Sequence, residues 1–163
     1  MEIWDAYKKD GSLAGCDLYR GKSIPEGLFH IVSEVIVRHI DGTYLLMQRD
    51  WNKKSYPGLF DAGARGSILK GETPYQGAVR ELKEETGIST VDLTLIYSQS
   101  NMKNTFYYGF LCLTDCVKDS IVLQMGETIA YHWMNKEDFL NFIQSSEFVA
   151  SQKERWLPFI NRI

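Results

Sequence analysis

Short stretches of hydrophobic and β-branched residues recur along the chain and are bounded by turn residues. The longest, HIVSEVIVRH at residues 30–39, is followed after an Asp41-Gly42 turn signal by TYLLMQRD at 43–50. Such runs are typical of β-strands. The same reasoning predicts an N-terminal hairpin that turns at Asp10-Gly11. It also predicts three later strands, at residues 91–100, 105–115 and 129–134.

A helical pattern appears in the middle of the chain, from Pro74 to Thr86. Thr73 is a good N-cap, Gln76 completes a capping box, and Gly87 is suited to end the helix in a left-handed conformation. The expected buried stripe of this helix consists of Tyr75, Ala78, Val79 and Leu82.

Two more helices are predicted near the C-terminus. Residues 135–144 open with an Asn135 cap, and residues 146–163 form a helix that we expect to kink or restart near Pro158. Strands on both sides of a central helix, with helices at the end, indicate the α/β (α+β) class, with a mixed β-sheet sandwiched between α-helices.

The size and charge of the chain narrow the choice of function. Its 163 residues suit one domain, which we divide into an N-terminal hairpin extension (1–28) and a core (29–163). A net charge of −3 gives no electrostatic reason to bind a nucleic-acid polymer. The chain shows no charged-then-apolar leader and no apolar run of membrane length, so we expect a cytoplasmic protein without a membrane partner. The three cysteines lack metal-type spacing and are expected to be reduced thiols.

Carboxylates crowd the C-terminal half of the central helix. Glu81 stands at helical contact spacing from both Glu84 and Glu85, and each like-charge pair destabilises a helix by about 0.2–0.5 kcal/mol. Two explanations are open: a solvated acidic face, or a face that holds a cation. Hard divalent ions prefer clustered carboxylate oxygens, so a metal site is the functional candidate.

The glutamates belong to a longer pattern that spans residues 66–88. Gly66 is followed by five residues, then Glu72, then seven residues, then RELKEETGI. This resembles the complete Nudix box, in which every constrained position is matched. The resemblance implies a Nudix fold and Mg²⁺- or Mn²⁺-dependent hydrolysis of a nucleoside diphosphate linked to another moiety X.

The resemblance also implies roles for residues within the box. Glu84 and Glu85 correspond to the principal metal ligands, and Glu81 to a further ligand or a base. Glu72 is implied to support the metal site or its water. Arg80 is implied to orient a carboxylate through a bidentate pair, although a purely structural salt bridge is equally open.

Three further residues, two at the start of the box and one far downstream, complete the implied site. Gly66 lets the backbone turn closely beside the metal, and the carbonyl of Arg65 is a candidate additional ligand. Glu127, in QMGETIAYHW, resembles a late loop glutamate that serves some family members as catalytic base. A helix-capping or surface role for Glu127 is equally open.

A second resemblance reaches upstream of the box. Residues 27–61 look like the corresponding segment of the isopentenyl-diphosphate-isomerase-like branch of the superfamily, with its His, its Leu-Leu-x-Gln-Arg strand and its Lys-x-x-Pro-Gly turn. The isomerase needs a cysteine in the loop before the box, but that loop reads DAGARGS here, and Ser67 stands where many relatives have His. The resemblance therefore favours hydrolysis over isomerisation.

Further substrate contacts are predicted at the edges of the site. Arg49 and Lys54 flank the loop at 51–58 and could meet phosphates, with an ion pair and surface solubility as their respective alternatives. His30 could touch substrate or metal, or could be structural. The candidate substrate-binding residues are thus His30, Arg49, Lys54, Arg65 and Gly66.

Three functions follow for comparison. The first is pyrophosphohydrolysis of a small-molecule diphosphate such as ADP-ribose, a nucleotide sugar or a nucleoside triphosphate. The alternatives are an isopentenyl-diphosphate-isomerase-like enzyme and a non-catalytic Nudix domain that senses a nucleotide. A homodimer is a further expectation, because dimers are common among relatives.

Overall fold

The computed structural model describes all of residues 1–163 and contains nine strands, three α-helices and two short 3₁₀ helices. The strands are β1 (Ile3–Tyr7), β2 (Leu13–Tyr19), β3 (His30–His39), β4 (Tyr44–Arg49), β5 (Phe60–Ala62), β6 (Ala64–Ser67), β7 (Leu93–Ser100), β8 (Thr105–Thr114) and β9 (Thr128–Met134). The helices are α1 (Pro74–Thr86), α2 (Lys136–Phe142) and α3 (Ala150–Trp156), with 3₁₀ helices at Lys118–Ser120 and Leu157–Arg162. No helix combines the length and the apolar composition that crossing a membrane requires.

Strands β3 to β9 form one mixed sheet. Its central order is β5-β4-β3-β8-β7, while β6 also pairs with β3 and β9 with β4. The β3–β8 pair is parallel and the other pairs are antiparallel. The predicted mixed sheet is thus confirmed, but the segment before the box is two short strands rather than a loop. Gly63, with φ of 72°, separates them and interrupts any readable alternation.

The two faces of the sheet carry separate cores, because alternate residues of a strand point to opposite faces. Val35 and Val37 of β3 pack with Ala78 and Leu82 of α1 on one face. Ile36 packs on the other face, in a cluster with residues of α2 and α3. The aromatic members of that second cluster include Phe139, Phe148 and Trp156. The sheet is therefore sandwiched between helices, as predicted.

The predicted ends of α1 are confirmed. Thr73 Oγ1 accepts a hydrogen bond from the Gln76 N–H, the Gln76 side chain accepts one from the Thr73 N–H, and Gly87 is left-handed with φ of 77°. The predicted buried stripe is wrong for Tyr75, which is 37% exposed. Gly77 instead faces Ile68 so closely that a methyl group there would overlap it. Gly77 and Glu85 are both buried in α1.

Helix α2 lies within the predicted range 135–144, whereas α3 begins only at Ala150 within the predicted range 146–163. Asn135 caps α2 by accepting a hydrogen bond from the Asp138 N–H at 2.9 Å. Helix α3 passes into a 3₁₀ helix at Leu157, next to Pro158, which agrees with the predicted restart. These helices lie on the sheet face that carries the aromatic cluster.

The N-terminal hairpin of β1 and β2 forms its own two-stranded antiparallel sheet, as predicted. It contacts the core through paired backbone hydrogen bonds between Tyr7 and Phe29, both at 2.8 Å, and through Lys70, whose N–H donates to the Ile3 carbonyl. The hairpin thereby contacts the loop between β6 and α1, which lies within the box. Its treatment as an extension separate from the core stays a prediction.

Candidate active site

A polar cleft of about 1190 Å³ opens beside α1, and only four of its 30 lining residues are hydrophobic. Its walls come from the hairpin, from β3, β4, β6, β7, β8, α1 and α3, and from the loops at 52–56, 101–103 and 124–127. Ten of the eleven candidate site residues line it: His30, Arg49, Lys54, Arg65, Gly66, Arg80, Glu81, Glu84, Glu85 and Glu127. Glu72 does not.

The three carboxylates of α1 meet the cleft with different degrees of burial. Glu85 is 8% exposed and accepts a hydrogen bond from the Arg65 N–H at 3.0 Å. Burial raises the pKa of Glu85 to about 8, and the charge of Glu81 adds to the effect. Burial also raises the pKa of Glu81. Glu84 is the exposed member, so the carboxylates extend from the core out to solvent.

Arg80 ties the carboxylates together. It donates from Nε and Nη2 to the two oxygens of Glu72, at 2.8 and 2.9 Å, and from Nη1 to Glu81 at 2.6 Å and Glu84 at 3.2 Å. The hydrogen bonds with Glu72 raise the pKa of Arg80. Glu72 also accepts the Leu69 N–H at 2.8 Å. With both oxygens engaged, Glu72 is positioned to act on the site through Arg80 rather than as a direct ligand.

Gly66 lies against the Glu81 carboxylate. A methyl group at position 66 would overlap the carboxylate carbon and both of its oxygens. The backbone conformation of Gly66 is not left-handed, so the need for glycine here is one of space. The close backbone approach predicted from the sequence is thereby explained by the path of the Glu81 side chain.

The donor set of α1 fits a divalent cation. Glu81 and Glu85 are carboxylates withdrawn from solvent, and burying such charges is costly unless a cation compensates them. Their hard oxygen atoms suit Mg²⁺ or Mn²⁺. As the side chains lie, no three acidic, His or Cys groups converge as ligands. Glu81 turns instead toward Arg80, and Glu85 accepts the Arg65 N–H.

Glu127 occupies the rim of the cleft between two cations. Its carboxylate forms an ion pair with Lys53 and lies 3.7 Å from Arg20 of the hairpin. Its backbone carbonyl accepts the Asp50 N–H at 2.9 Å, which holds the loop at 124–127 against the end of β4. Sequence reasoning selected Lys54, which is exposed in the cleft lining, but missed Lys53 beside it.

His30 is enclosed by neighbours from three elements. Its ring stacks on Trp4 with centroids 4.7 Å apart, Nε2 lies 3.1 Å from Thr105 Oγ1, and Nδ1 lies 3.3 Å from Ser67 Oγ. Burial lowers the pKa of His30 to about 4, so its ring is neutral at pH 7. These contacts favour the structural alternative, and they also give Ser67 a hydrogen-bond partner.

Arg49 has its guanidinium occupied by the protein. Nε and Nη2 both donate to the Ser55 carbonyl, at 3.1 and 3.0 Å, and Nη1 donates to Asp61 at 2.7 Å. It is buried and holds the 51–58 loop in place, which matches the ion-pair alternative. Of the aromatic side chains near this loop, Tyr56 lines the cleft, whereas Phe60 is buried in the core.

Sequence reasoning missed the wall of the cleft that α3 and β8 supply. Arg155 and Tyr107 line it, with Ser151 and Glu154 nearby. One sequence signal was available, because Glu34 interrupts the apolar run of β3 at a position that proves to be fully buried. Its partner Arg155 is 121 positions away in the chain, so no local pattern could link the two.

Comparison with known proteins agrees with the box and the fold. The model of the NUDIX domain matches residues 29–157. A Nudix hydrolase of Listeria innocua serovar 6a is 32% identical over 157 residues, covering 91% of this chain and 89% of that protein. The chain belongs to the Nudix hydrolase family. As a Nudix hydrolase it is an enzyme that cleaves pyrophosphate bonds.

This Nudix hydrolase is also similar in sequence to an isomerase and in fold to a solved structure. The isopentenyl-diphosphate Delta-isomerase of Corynebacterium diphtheriae is 26% identical over 132 residues, covering 75% of this chain and 72% of that enzyme. This confirms the second resemblance. A crystal structure of a Deinococcus radiodurans protein matches with a TM-score of 0.75 at 19% identity, covering 91% of this chain and 92% of that one, and so shares its fold.

Proposed function

We propose that this Nudix hydrolase cleaves the pyrophosphate bond of a nucleoside diphosphate linked to another moiety X. The reaction depends on Mg²⁺ or Mn²⁺ bound by Glu81, Glu84 and Glu85. The observation that carries the proposal is one polar cleft that contains these carboxylates and also Lys53, Lys54, Arg65 and Arg155. Carboxylates can hold the metal ion there, while the cations meet phosphate oxygens.

A metal ion held by these carboxylates would neutralise phosphate oxygens and lower the pKa of a nearby water. The residues of the chain position the carboxylates that bind the metal ion. Arg80 holds Glu81 and Glu84 through its Nη1, and the Arg65 N–H holds Glu85. Glu127 is the proposed base, since its carboxylate lies in the same cleft and is held by Lys53. Lys53 and Lys54 offer positive charge to the phosphates.

The lining of the cleft supports a polar moiety X. Beyond the charged groups, it presents the side chains of Gln99, Ser100, Asn101 and Ser151, which can bind hydroxyl, amide or ring-nitrogen groups. Tyr56 and Tyr107 offer aromatic rings for a base. An isoprenoid chain would bring apolar surface against these polar groups and leave them without hydrogen-bond partners.

Isomerase activity is the alternative that the Corynebacterium diphtheriae relative favours. It requires a thiol beside the substrate carbon, yet Cys16, Cys112 and Cys116 are all absent from the cleft lining. A nucleotide sensor is the third candidate. The retained set of box glutamates supports an enzyme over a sensor, because a binding domain has no need for all of them.

The test is a screen of the native protein and Glu84→Gln over a panel of diphosphates with Mg²⁺ or Mn²⁺, in which the two cleavage products, such as AMP and a sugar phosphate, are separated by chromatography. The panel contains ADP-ribose, nucleotide sugars, nucleoside triphosphates, dinucleoside polyphosphates and isoprenoid diphosphates. We expect turnover of a nucleotide substrate by the native protein alone. Equal turnover by Glu84→Gln would contradict the proposed metal site, and ligand binding without turnover would favour the sensor.

A further inference from the structure

The guanidinium of Arg65 has no hydrogen-bond partner within the protein, although its side chain is only 18% exposed. Its closest carboxylates lie beyond hydrogen-bond distance, with Nε 3.7 Å from Asp61 and Nη1 4.0 Å from Glu34. A guanidinium carries five N–H donors, and no donor of Arg65 is sealed from solvent. Arg65 lines the cleft, so a ligand can reach these donors.

Arg155 reaches the same place from α3. Its Nε and Nη2 donate to the two oxygens of Glu34, the former at 2.7 Å, and its guanidinium lies over the Tyr107 ring at 4.0 Å. Its Nη1 donates to no group of the protein and is not sealed from solvent. One face of the side chain is thereby held by the protein while its remaining N–H groups are available in the cleft.

Glu34 is the anchor of this arrangement. It is fully buried, and besides Arg155 it accepts a hydrogen bond from the Tyr97 hydroxyl at 2.6 Å. Burial opposes the charged form of Arg155, but the hydrogen bonds and charge of Glu34 outweigh it and raise the pKa of Arg155. Arg155 therefore stays charged inside the wall.

The wall carries excess positive charge. Three arginines, Arg49, Arg65 and Arg155, share the buried carboxylates Glu34 and Asp61. The guanidinium of Arg49 already donates hydrogen bonds to Ser55 and Asp61 through all three of its nitrogens. The excess therefore rests with Arg65 and Arg155, and it adjoins the metal-binding carboxylates because the Arg65 backbone N–H holds Glu85.

We propose that Arg65 and Arg155 form an anion subsite that binds phosphate oxygens of the substrate. Arg155 is a specificity-determining residue of this subsite, and Glu34 is a positioning residue that acts through Arg155. The subsite rests on the proposed function, in that it takes the part of the diphosphate that the metal ion leaves uncompensated. It favours substrates with a charged phosphate chain over neutral esters.

The test is calorimetric titration of inorganic pyrophosphate into the protein with EDTA present, so that neither metal nor turnover contributes. Arg155→Gln and Arg65→Gln are each expected to weaken pyrophosphate binding roughly 10- to 100-fold, as loss of a charge-assisted hydrogen bond does. Lys153→Gln is the matched control. It removes the same charge from the same helix outside the cleft, and it is expected to leave the Kd within about twofold.

Glu34→Gln tests whether Glu34 positions Arg155, because a positioning role and a direct charge effect change the pyrophosphate Kd in opposite directions. Removing a negative charge near an anion would by itself strengthen binding, whereas loss of the Arg155 anchor weakens it. We expect weaker binding, and we expect most of that loss to vanish when Arg155 is already Gln. Tyr97→Phe removes one hydrogen bond to Glu34 without altering the cleft, and it is expected to weaken binding less than Glu34→Gln does.

Equal Kd values for the native protein and both arginine variants would overturn the subsite, as would failure of the native protein to bind millimolar pyrophosphate. Stronger binding by Glu34→Gln would overturn the positioning role. Failure of the proposed function gives a different result: pyrophosphate binding that depends on Arg155 without hydrolysis of any diphosphate. Conversely, hydrolysis with an unchanged KM in Arg155→Gln would retain the function and remove the subsite.

Discussion

The two sides of the cleft differ in how the chain builds them. The carboxylate side comes from one helix and the turn before it, so Arg80, Glu81, Glu84 and Glu85 lie within six consecutive positions. The arginine side joins β3, β6 and α3, and its central pair, Glu34 and Arg155, is separated by 121 positions. A helix imposes its own spacing on catalytic groups, whereas the second side exists only once the sheet and α3 have packed.

This difference suggests a division of labour. In the proposed function, the carboxylate side holds the metal ion at the reacting phosphate, and substitutions there should mainly lower kcat. In the proposed subsite, the arginine side binds phosphate oxygens next to the metal-binding carboxylates, and substitutions there should mainly raise KM.

Glu85→Gln should remove activity, with a fall in kcat/KM of at least about 100-fold, because an amide is a far weaker ligand than a carboxylate for a hard divalent ion. Folding should be retained, since the amide oxygen can still accept the Arg65 N–H. The measurement is turnover with saturating Mg²⁺ together with a thermal unfolding curve in EDTA. Normal activity in a folded Glu85→Gln protein would remove Glu85 from the metal site.

Arg80→Lys should lower kcat roughly 10- to 100-fold, in the range seen when an outer partner of a metal ligand is changed. Lysine keeps the charge but cannot hold both oxygens of Glu72 while also reaching Glu81 and Glu84. Steady-state kinetics over a range of Mg²⁺ concentrations should show a higher metal requirement as well. Unchanged kinetics would assign Arg80 to the structural salt-bridge alternative.

Gly66→Ala should lower kcat about 10-fold, because the added methyl group displaces the Glu81 carboxylate. The effect should pass through Glu81, so a double-mutant cycle with Glu81→Ala provides the control. In that background the methyl group has no carboxylate to displace, and Gly66→Ala should then change kcat little. Additive losses in the cycle would mean that the methyl group acts by another route.

Among these variants, His30→Asn should change turnover least. It should instead change how strongly the stability of the fold depends on pH. The folded pKa of about 4 lies below the unfolded value of 6.5, so the unfolded chain binds the proton more readily. The neutral His30 ring therefore contributes to the free energy of unfolding above pH 6.5. That contribution, up to about 3 kcal/mol, is lost as the pH falls through 4. Urea unfolding at pH 7 and pH 4 should show a smaller pH-dependent loss for His30→Asn. A large rise in KM would instead support a substrate contact.

Much of the fold was predictable wherever the local pattern was strong. Strand β3 and the capped helix α1 were identified because β-branched runs and capping residues act locally. Strands β5 and β6 were not identified, since three and four residues around Gly63 are too short to show a period. The buried face of α1 was misjudged at Tyr75, and the close contact between Gly77 and Ile68 was not foreseen because it is a tertiary one.

The site divides in the same way. The box identified Arg80, Glu81, Glu84 and Glu85 as site residues without any knowledge of tertiary structure, and all four line the cleft, whereas Glu72 does not. The engagement of Arg49 with Ser55 and Asp61, and of Glu34 with Arg155, depends on which strands and helices meet. The buried charge in β3 indicated that Glu34 needed a partner, but not which one.

The central claim is that the two sides of the cleft serve different steps. The most direct test is steady-state kinetics of the native enzyme, Glu84→Gln and Arg155→Gln on the first nucleotide substrate found to be hydrolysed. We predict a fall in kcat with little change in KM for Glu84→Gln, and a rise in KM of roughly 10-fold or more with kcat nearly retained for Arg155→Gln. Equal changes in kcat and in KM for the two variants would contradict the division and leave the cleft as a single functional unit.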